Sequence, residues 1–204
     1  MAGVIPTNYE IVFEPLFHNF KFNGEEIITL NLSKPTNSII LDAAELSIKE
    51  SHITQGRKII PAKSSLNEKN EKLTIKLAKK IKGKVKLSIK FTGTLNDRLL
   101  GFYRSQYKDR KGKTKYLATT QFEAADARRA FPCWDEPAVK ATFDVSLLVD
   151  KHLDAISNMP VTSKKNVGSK ILYKFGRTPI MSTYLLYLGV GEFEYLYGKL
   201  RNIK

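Results

Sequence analysis

The chain has 204 residues, of which 42% are hydrophobic and 26% charged, with a formal net charge of +14 and one cysteine. This composition is typical of a folded globular domain and excludes a disordered chain, and the lone Cys133 excludes an internal disulfide bond. No apolar run reaches the length of a membrane-spanning helix, and the first residues show no secretory signal. We therefore expect a cytoplasmic protein with no membrane partner.

The positive charge raises the question of nucleic-acid binding. Most basic residues are lysines that alternate with apolar residues in stretches such as 72–80 and 82–90. Such alternation is typical of the solvated side of a sheet, where lysines also discourage aggregation of strand edges. We therefore favour a solvated face over a nucleic-acid partner, with a basic nucleic-acid binder kept as the weaker alternative.

Period-two alternation of apolar residues predicts strands along the chain, most clearly at 28–32, 73–77, 85–91 and 143–149. Turns are predicted to separate strands at Asn23-Gly24, 34–37, Gln55-Gly56, Lys82-Gly83, Lys111-Gly112 and 158–160. Short strands with this punctuation predict an all-β fold of stacked sheets in a β-sandwich, with few short helical turns.

The segment 119–140 departs from the alternation. It combines two prolines, four acidic residues, two adjacent arginines and the only tryptophan. Residues 126–131 can form one helical turn, which Pro132 would end. Because irregular segments on a rigid β scaffold often carry functional residues, we expect a site here.

Side chains that could perform catalysis are scattered. His18, His52 and His152 lie far apart, and none begins a His-Glu-x-x-His pattern, so no zinc site is predicted on this chain. Cys133 lies in an apolar Phe-Pro-Cys-Trp run without a neighbouring histidine, which favours a buried, inert thiol. The chain also lacks a Gly-x-Ser-x-Gly elbow and a phosphate-binding glycine loop. A complete catalytic apparatus is therefore not expected.

Gln121 and Glu123 form the most suggestive pair of polar residues. Two positions apart on a strand, they would point to the same face. An amide and a carboxylate side by side could accept hydrogen bonds from a primary ammonium group. The residues alone leave open that both are ordinary surface side chains.

The residues around this pair carry a family resemblance. Thr-Gln-Phe-Glu at 120–123, followed by Ala-Arg-Arg-Ala-Phe-Pro-Cys-Trp-Asp-Glu-Pro-Ala-Val-Lys-Ala-Thr-Phe at 127–143, resembles the signature block of the gluzincin aminopeptidases. That family includes aminopeptidase N, the puromycin-sensitive aminopeptidase and the archaeal tricorn-interacting aminopeptidases. Further stretches resemble the family's first domain in the same order, at 6–11, 100–107, 178–186 and 191–194.

The resemblance implies that residues 1–204 are the N-terminal domain, with saddle-like stacked sheets, of a zinc aminopeptidase that removes N-terminal amino acids from peptides. It implies that Glu123 binds the substrate's α-ammonium group and that Gln121 lines the first side-chain pocket. Ala124-Ala125 stand where many members have Pro-Thr, which puts the pocket's preference in doubt but not the amine anchor. The remaining residues of the signature block, including Arg128 and Arg129, are expected to fix the loop.

The family's zinc ligands and catalytic residues are expected in a C-terminal catalytic domain that this chain lacks. Zinc is thus expected in the full-length enzyme and not on this chain, whose partners would be that catalytic domain and peptides with a free N-terminus. Abundant Lys and Ile with three Gln and one Cys favour a heat-adapted source, and the resemblance implies an archaeal one. The alternative is a stand-alone β-sandwich module that binds or scaffolds without catalysis; a large exposed apolar patch would argue against it.

Overall fold

The computed structural model describes residues 3–196 and 198, which form twelve strands in two sheets and two single-turn 3₁₀ helices. The strands are β1 (Val4–Leu16), β2 (Lys21–Asp42), β3 (Ser47–Gln55), β4 (Lys58–Asn67), β5 (Lys72–Thr94), β6 (Gly101–Lys108), β7 (Thr114–Gln121), β8 (Thr142–Asp150), β9 (Asp154–Ser157), β10 (Val161–Val167), β11 (Lys170–Phe175) and β12 (Leu188–Gly191). The helical turns are Ala127–Arg129 and Thr183–Leu185. The prediction of an all-β fold with few short helical turns is confirmed.

The larger sheet has eight strands in the order β10-β11-β8-β1-β2-β5-β3-β4, and the smaller has four in the order β6-β7-β12-β9. Strands β1 and β8 run parallel, and the other neighbouring pairs are antiparallel. The parallel pair brings the first strand beside a strand far along the chain. Because β7 belongs to the small sheet and β8 to the large one, the 122–141 segment that connects them crosses from one sheet to the other.

Strands β2 and β5 are much longer than predicted, with 22 and 23 residues. The predicted turns at Asn23-Gly24, 34–37 and Lys82-Gly83 are wrong, because these residues lie inside the two strands. A side chain on Gly24 would overlap the Phe91 ring, so glycine provides room for an aromatic neighbour rather than a turn. Residues 34–37 instead form an irregularity in the pairing of β2 with β5.

One core joins the two sheets. The predicted apolar runs supply its inner face, with Ile28, Leu30 and Leu87 among the fully buried residues. The Phe102 ring of β6 lies 5.7 Å from the Phe13 ring of β1 and 5.3 Å from the Phe22 ring of β2. Burial of each large apolar side chain stabilises the fold by about 1.5–3 kcal/mol, so this aromatic cluster stabilises the stacking of the sheets.

The outer surface agrees with the solvated-lysine interpretation. Along β5 the lysines at 72, 76, 84, 86 and 90 are exposed, while the leucine, isoleucine and valine residues between them are buried. Turns occur as predicted at Gln55-Gly56, Lys111-Gly112 and 158–160. Within residues 3–196 and 198, no helix is long and apolar enough to cross a membrane.

Candidate functional site

The predicted pair lies where β7 leaves the small sheet. Gln121 is the last residue of β7, and Glu123 lies in the turn that follows, with a cis peptide bond to Ala124. Both side chains are exposed, whereas Phe122 between them is buried and packs edge-on against Phe131 at 6.1 Å. Both residues were expected on one strand, but the strand contains only Gln121 and ends before Glu123. Exposed and buried side chains nevertheless continue to alternate through Glu123.

The polar groups of Gln121 and Glu123 are not engaged by other described residues of the chain. Within the part of the chain that the structure describes, the Gln121 amide and the Glu123 carboxylate have no hydrogen-bond or ion-pair partner. An unpaired surface carboxylate keeps its charge and its acceptor oxygens available for a ligand. The pair therefore could bind an ammonium group without first breaking an internal contact.

Arg128 fixes the segment that follows Glu123. Its backbone N–H and its Nε both donate to Asp135 Oδ2, at 3.2 and 3.1 Å, and its Nη1 donates to Glu71 Oε2 at 3.0 Å. Its carbonyl accepts from the Ala44 N–H at 2.9 Å. These contacts tie the helical turn to the connections that follow β2 and β4 in the large sheet.

Arg129 makes a second set of contacts with acidic residues. Its Nε donates to Asp126 at 2.8 Å, and its two terminal nitrogens donate to Glu45 at 2.6 Å and Glu71 at 3.0 Å. Glu71 thus bridges both arginines. Networks of partly buried, charge-assisted hydrogen bonds hold their members more rigidly than isolated surface pairs.

The buried side of the segment is joined to the end of β2. Asp42 and Cys133 exchange backbone hydrogen bonds of 2.7 and 3.0 Å, and Asp42 Oδ2 accepts from the Asp135 N–H at 3.0 Å. Asp135, 4% exposed, also accepts from Thr183 at 2.9 Å. Lys72 completes the cluster by pairing with Asp42. The expectation that the arginines and their neighbours fix the loop is supported by this geometry.

Cys133 is fully buried, as predicted. Burial raises the pKa of its thiol well above the ordinary value, and the negative charge of Asp135 acts in the same direction. The residue therefore remains a neutral thiol and a small apolar part of the core.

Sequence reasoning missed the row of side chains beside Gln121. On the outer face of the small sheet, Thr119 pairs across strands with Tyr103, and its hydroxyl is 3.2 Å from the Tyr187 hydroxyl. Leu117 continues the row two positions earlier on β7. The alternation at 117–121 is the sequence signal that could have identified this face.

No group of His, Cys, Asp or Glu among the described residues could hold a metal ion. His18 and His152 are exposed and His52 is half-buried. The donor set of this part of the chain therefore does not fit a zinc ion, which needs three or four converging ligands.

Comparison of the sequence with known proteins gives one family and several similar proteins. Residues 5–185 match the family model described as the Peptidase M1 N-terminal domain. The chain is 44% identical over 196 residues to a puromycin-sensitive aminopeptidase of Caenorhabditis elegans, covering 94% of this chain and 21% of that protein. It is 42% identical over 195 residues to Aminopeptidase M1-D of rice, Oryza sativa subsp. japonica, covering 95% and 22%.

A third relative, Aminopeptidase 2 of Candida albicans, is 42% identical over 200 residues, covering 96% of this chain and 21% of the relative. The chain therefore spans about a fifth of the length of these curated relatives. The match to the family model extends from β1 to β11 and includes the whole 122–141 segment, whereas β12 lies beyond it. The chain belongs to the Peptidase M1 N-terminal domain family.

Proposed function

We propose that this chain is the substrate-amine-binding N-terminal domain of a zinc aminopeptidase that removes single residues from the free N-terminus of peptides. In this proposal Glu123 binds the α-ammonium group, and Gln121 lines the pocket of the first side chain. The observation that carries the proposal is an exposed, unpaired carboxylate next to a segment that charged contacts hold to the large sheet. The names of the relatives, all aminopeptidases, support the reaction class.

The chemistry of an exopeptidase explains why such a carboxylate is useful. The enzyme must cut one residue from a free amine, and a fixed carboxylate measures that distance by pairing with the ammonium group. Hydrogen bonds to charged groups contribute about 1.5–3 kcal/mol, which corresponds to roughly a 10- to 100-fold preference for free over blocked N-termini. A mobile carboxylate would lose part of this preference. The contacts of Arg128 and Arg129 help to maintain it, because they hold the segment that follows Glu123 in place.

Zinc belongs, in this proposal, to another part of the full-length protein, because the described residues of this chain offer no ligand set. The metal would activate the water that attacks the peptide bond. The contribution of this chain is to bind and orient the substrate's amino end.

An exposed apolar stretch supports a catalytic domain as the partner over a stand-alone module. In the 180–187 region, Ile180 is 71% exposed, Leu185 48% and Tyr187 37%, and Tyr187 contacts Thr119 beside Gln121. Exposed apolar side chains within one short stretch, of which Tyr187 reaches a neighbour of the candidate site, are typical of a surface that another domain covers. The length of the relatives leaves room for such a domain.

The test is hydrolysis by the full-length protein of one peptide in two forms, with a free and with an acetylated N-terminus. The proposal predicts release of the first residue from the free peptide, little or no release from the acetylated one, and loss of activity on zinc chelation that added zinc restores. Absence of hydrolysis, or cleavage within the peptide regardless of acetylation, would overturn it.

A further inference from the structure

A second carboxylate, on Glu26, lies in the core. Glu26 is in β2, where its register partners are Ile11 of β1 and Ile89 of β5. It shares the inward-facing phase of the strand with Phe22 and Ile28, and it is 2% exposed. The side chain therefore occupies a position that the alternation of the strand assigns to an apolar residue.

Neither carboxylate oxygen of Glu26 has a hydrogen-bond partner within residues 3–196 and 198. The two buried aspartates differ, since Asp42 and Asp135 each accept hydrogen bonds and pair with cations. An ionised carboxylate without partners is far more costly to bury than a neutral carboxylic acid. Burial accordingly raises the pKa of Glu26 well above the ordinary value of 4.5.

The titratable groups that interact with Glu26 come from two elements. Tyr9 of β1 and Cys133 of the 122–141 segment are both buried, and for each of them burial is the main cause of a raised pKa, to which the charge of Glu26 would add. On β5 the partner position, Ile89, is apolar.

Three charged residues act on the cluster that Glu26 forms with Tyr9 and Cys133. Asp135 acts on both Tyr9 and Cys133, while Asp42 and Arg128 act on Cys133. These charged groups pair with one another, Arg128 lying 3.1 Å from Asp135 and 3.8 Å from Asp42. Among the described residues Glu26 has no ion pair of its own, so nothing there offsets its charge.

The same cluster lies under the candidate site. The Tyr9 hydroxyl accepts a hydrogen bond of 3.4 Å from the Trp134 N–H. The Tyr9 ring lies edge-on to Phe131 at 5.9 Å and stacks on Phe143 at 5.0 Å. A charge that forms at Glu26 therefore acts on the buried side of the segment that follows Glu123.

We propose that Glu26 keeps its proton in the folded domain at neutral pH, and that its ionisation at higher pH loosens the core beneath the 131–134 part of the site segment. The direction follows from proton linkage. Between the unfolded pKa, near 4.5, and the higher folded pKa, the folded state binds one more proton than the unfolded state. The contribution of Glu26 to stability is thus fully present below about pH 4.5 and declines as the pH rises toward the folded pKa. The folding equilibrium constant falls by up to about tenfold per pH unit in that window.

The test is urea unfolding of the 204-residue chain between pH 5 and pH 9, for the wild type and for Glu26→Gln and Glu26→Met. Both variants remove the ionisable group and keep the length of the side chain. As the pH rises, the folding equilibrium constant of the wild type should therefore fall more steeply than that of either variant, by up to about tenfold more per pH unit. Glu25→Gln is the matched control, because Glu25 is the exposed neighbour on the opposite face. It should retain the wild-type decline.

Two direct readouts accompany the unfolding series. The carbon NMR signal of the Glu26 carboxyl, assigned by its loss in Glu26→Gln, should report a protonated group at pH 7. Hydrogen exchange at the amides of 131–134 should accelerate with rising pH more in the wild type than in either variant. An ionised signal at pH 7, or equal pH dependence of stability in wild type and both variants, would overturn the proposal. Either result leaves the role of Glu123 untouched, because Glu26 is not part of that site.

Discussion

Two unpaired glutamates of this domain, Glu123 and Glu26, have the same side chain in opposite surroundings. Glu123 faces solvent at the end of β7, whereas Glu26 is 2% exposed between β1 and β5. Neither has a partner among the described residues. In water an unpaired carboxylate stays charged and can bind a ligand, but in the core it is stable only as the neutral acid. Substitutions that affect one region and spare the other can therefore test the comparison.

Removing the support beneath Glu123 should have the largest effect on stability. Arg128→Ala leaves the buried Asp135 without its cation, and breaking a buried ion pair in this way costs about 3–5 kcal/mol. Urea unfolding measures the loss. Arg110→Ala is the control, because its pair with Glu194 is almost fully exposed and should change the free energy of unfolding by less than about 0.5 kcal/mol. A small effect of Arg128→Ala would show that the network does not hold the segment.

Crowding the core beside Glu26 should have the next largest effect. Gly24 lies two positions before Glu26 in β2. In Gly24→Ala the new methyl group would overlap the Phe91 ring, and overpacking of this kind costs about 1–3 kcal/mol. At Gly176 the same substitution meets no atom closer than 3.6 Å. Thermal or urea unfolding should therefore separate the two variants. Equal stabilities would mean that the ring moves aside freely.

Gln121→Ala should alter the preference among N-terminal residues by less than about tenfold, because a hydrogen bond from an exposed amide contributes roughly 1 kcal/mol. The measurement is kcat/KM of the full-length enzyme for peptides that differ in the first residue. Preference for a free amine should persist, since that is assigned to Glu123. If Gln121→Ala removed the amine preference instead, the roles of the two residues would have to be exchanged.

The smallest expected effect is that of Glu123→Gln on stability. An exposed carboxylate without partners contributes less than about 0.5 kcal/mol, so urea unfolding of the 204-residue chain should be unchanged. The corresponding change at Glu26 should make stability less dependent on pH. A marked loss of stability in Glu123→Gln would indicate a structural contact and would blur the distinction between the two sites.

Much of the fold was predictable because alternation reports which side chains are buried. The phase that buries Ile28 and Leu30 extends backwards through Glu26, Gly24 and Phe22, so the sequence already contained the signal that Glu26 points inward. The predicted turn at Asn23-Gly24 obscured it. Glycine has two uses in β proteins, and sequence alone does not distinguish a turn from room for a ring such as Phe91.

The support of the site was less predictable than its position. The unusual composition of 119–140 identified the segment, and its single helical turn at Ala127–Arg129 was predicted. The partners of the arginines, Glu45 and Glu71, are more than fifty positions away in the sequence. Their proximity depends on how β2, β3 and β5 pair, which local patterns do not specify.

The most direct test of the central claim is whether Glu123 recognises the amino group itself. The measurement is the ratio of kcat/KM for a peptide with a free N-terminus to that for its des-amino counterpart, in full-length wild-type enzyme and in Glu123→Gln, with the exposed Glu136→Gln as control. We predict that the ratio falls about 10- to 100-fold in Glu123→Gln and stays at the wild-type value in Glu136→Gln. An unchanged ratio in Glu123→Gln would contradict the account.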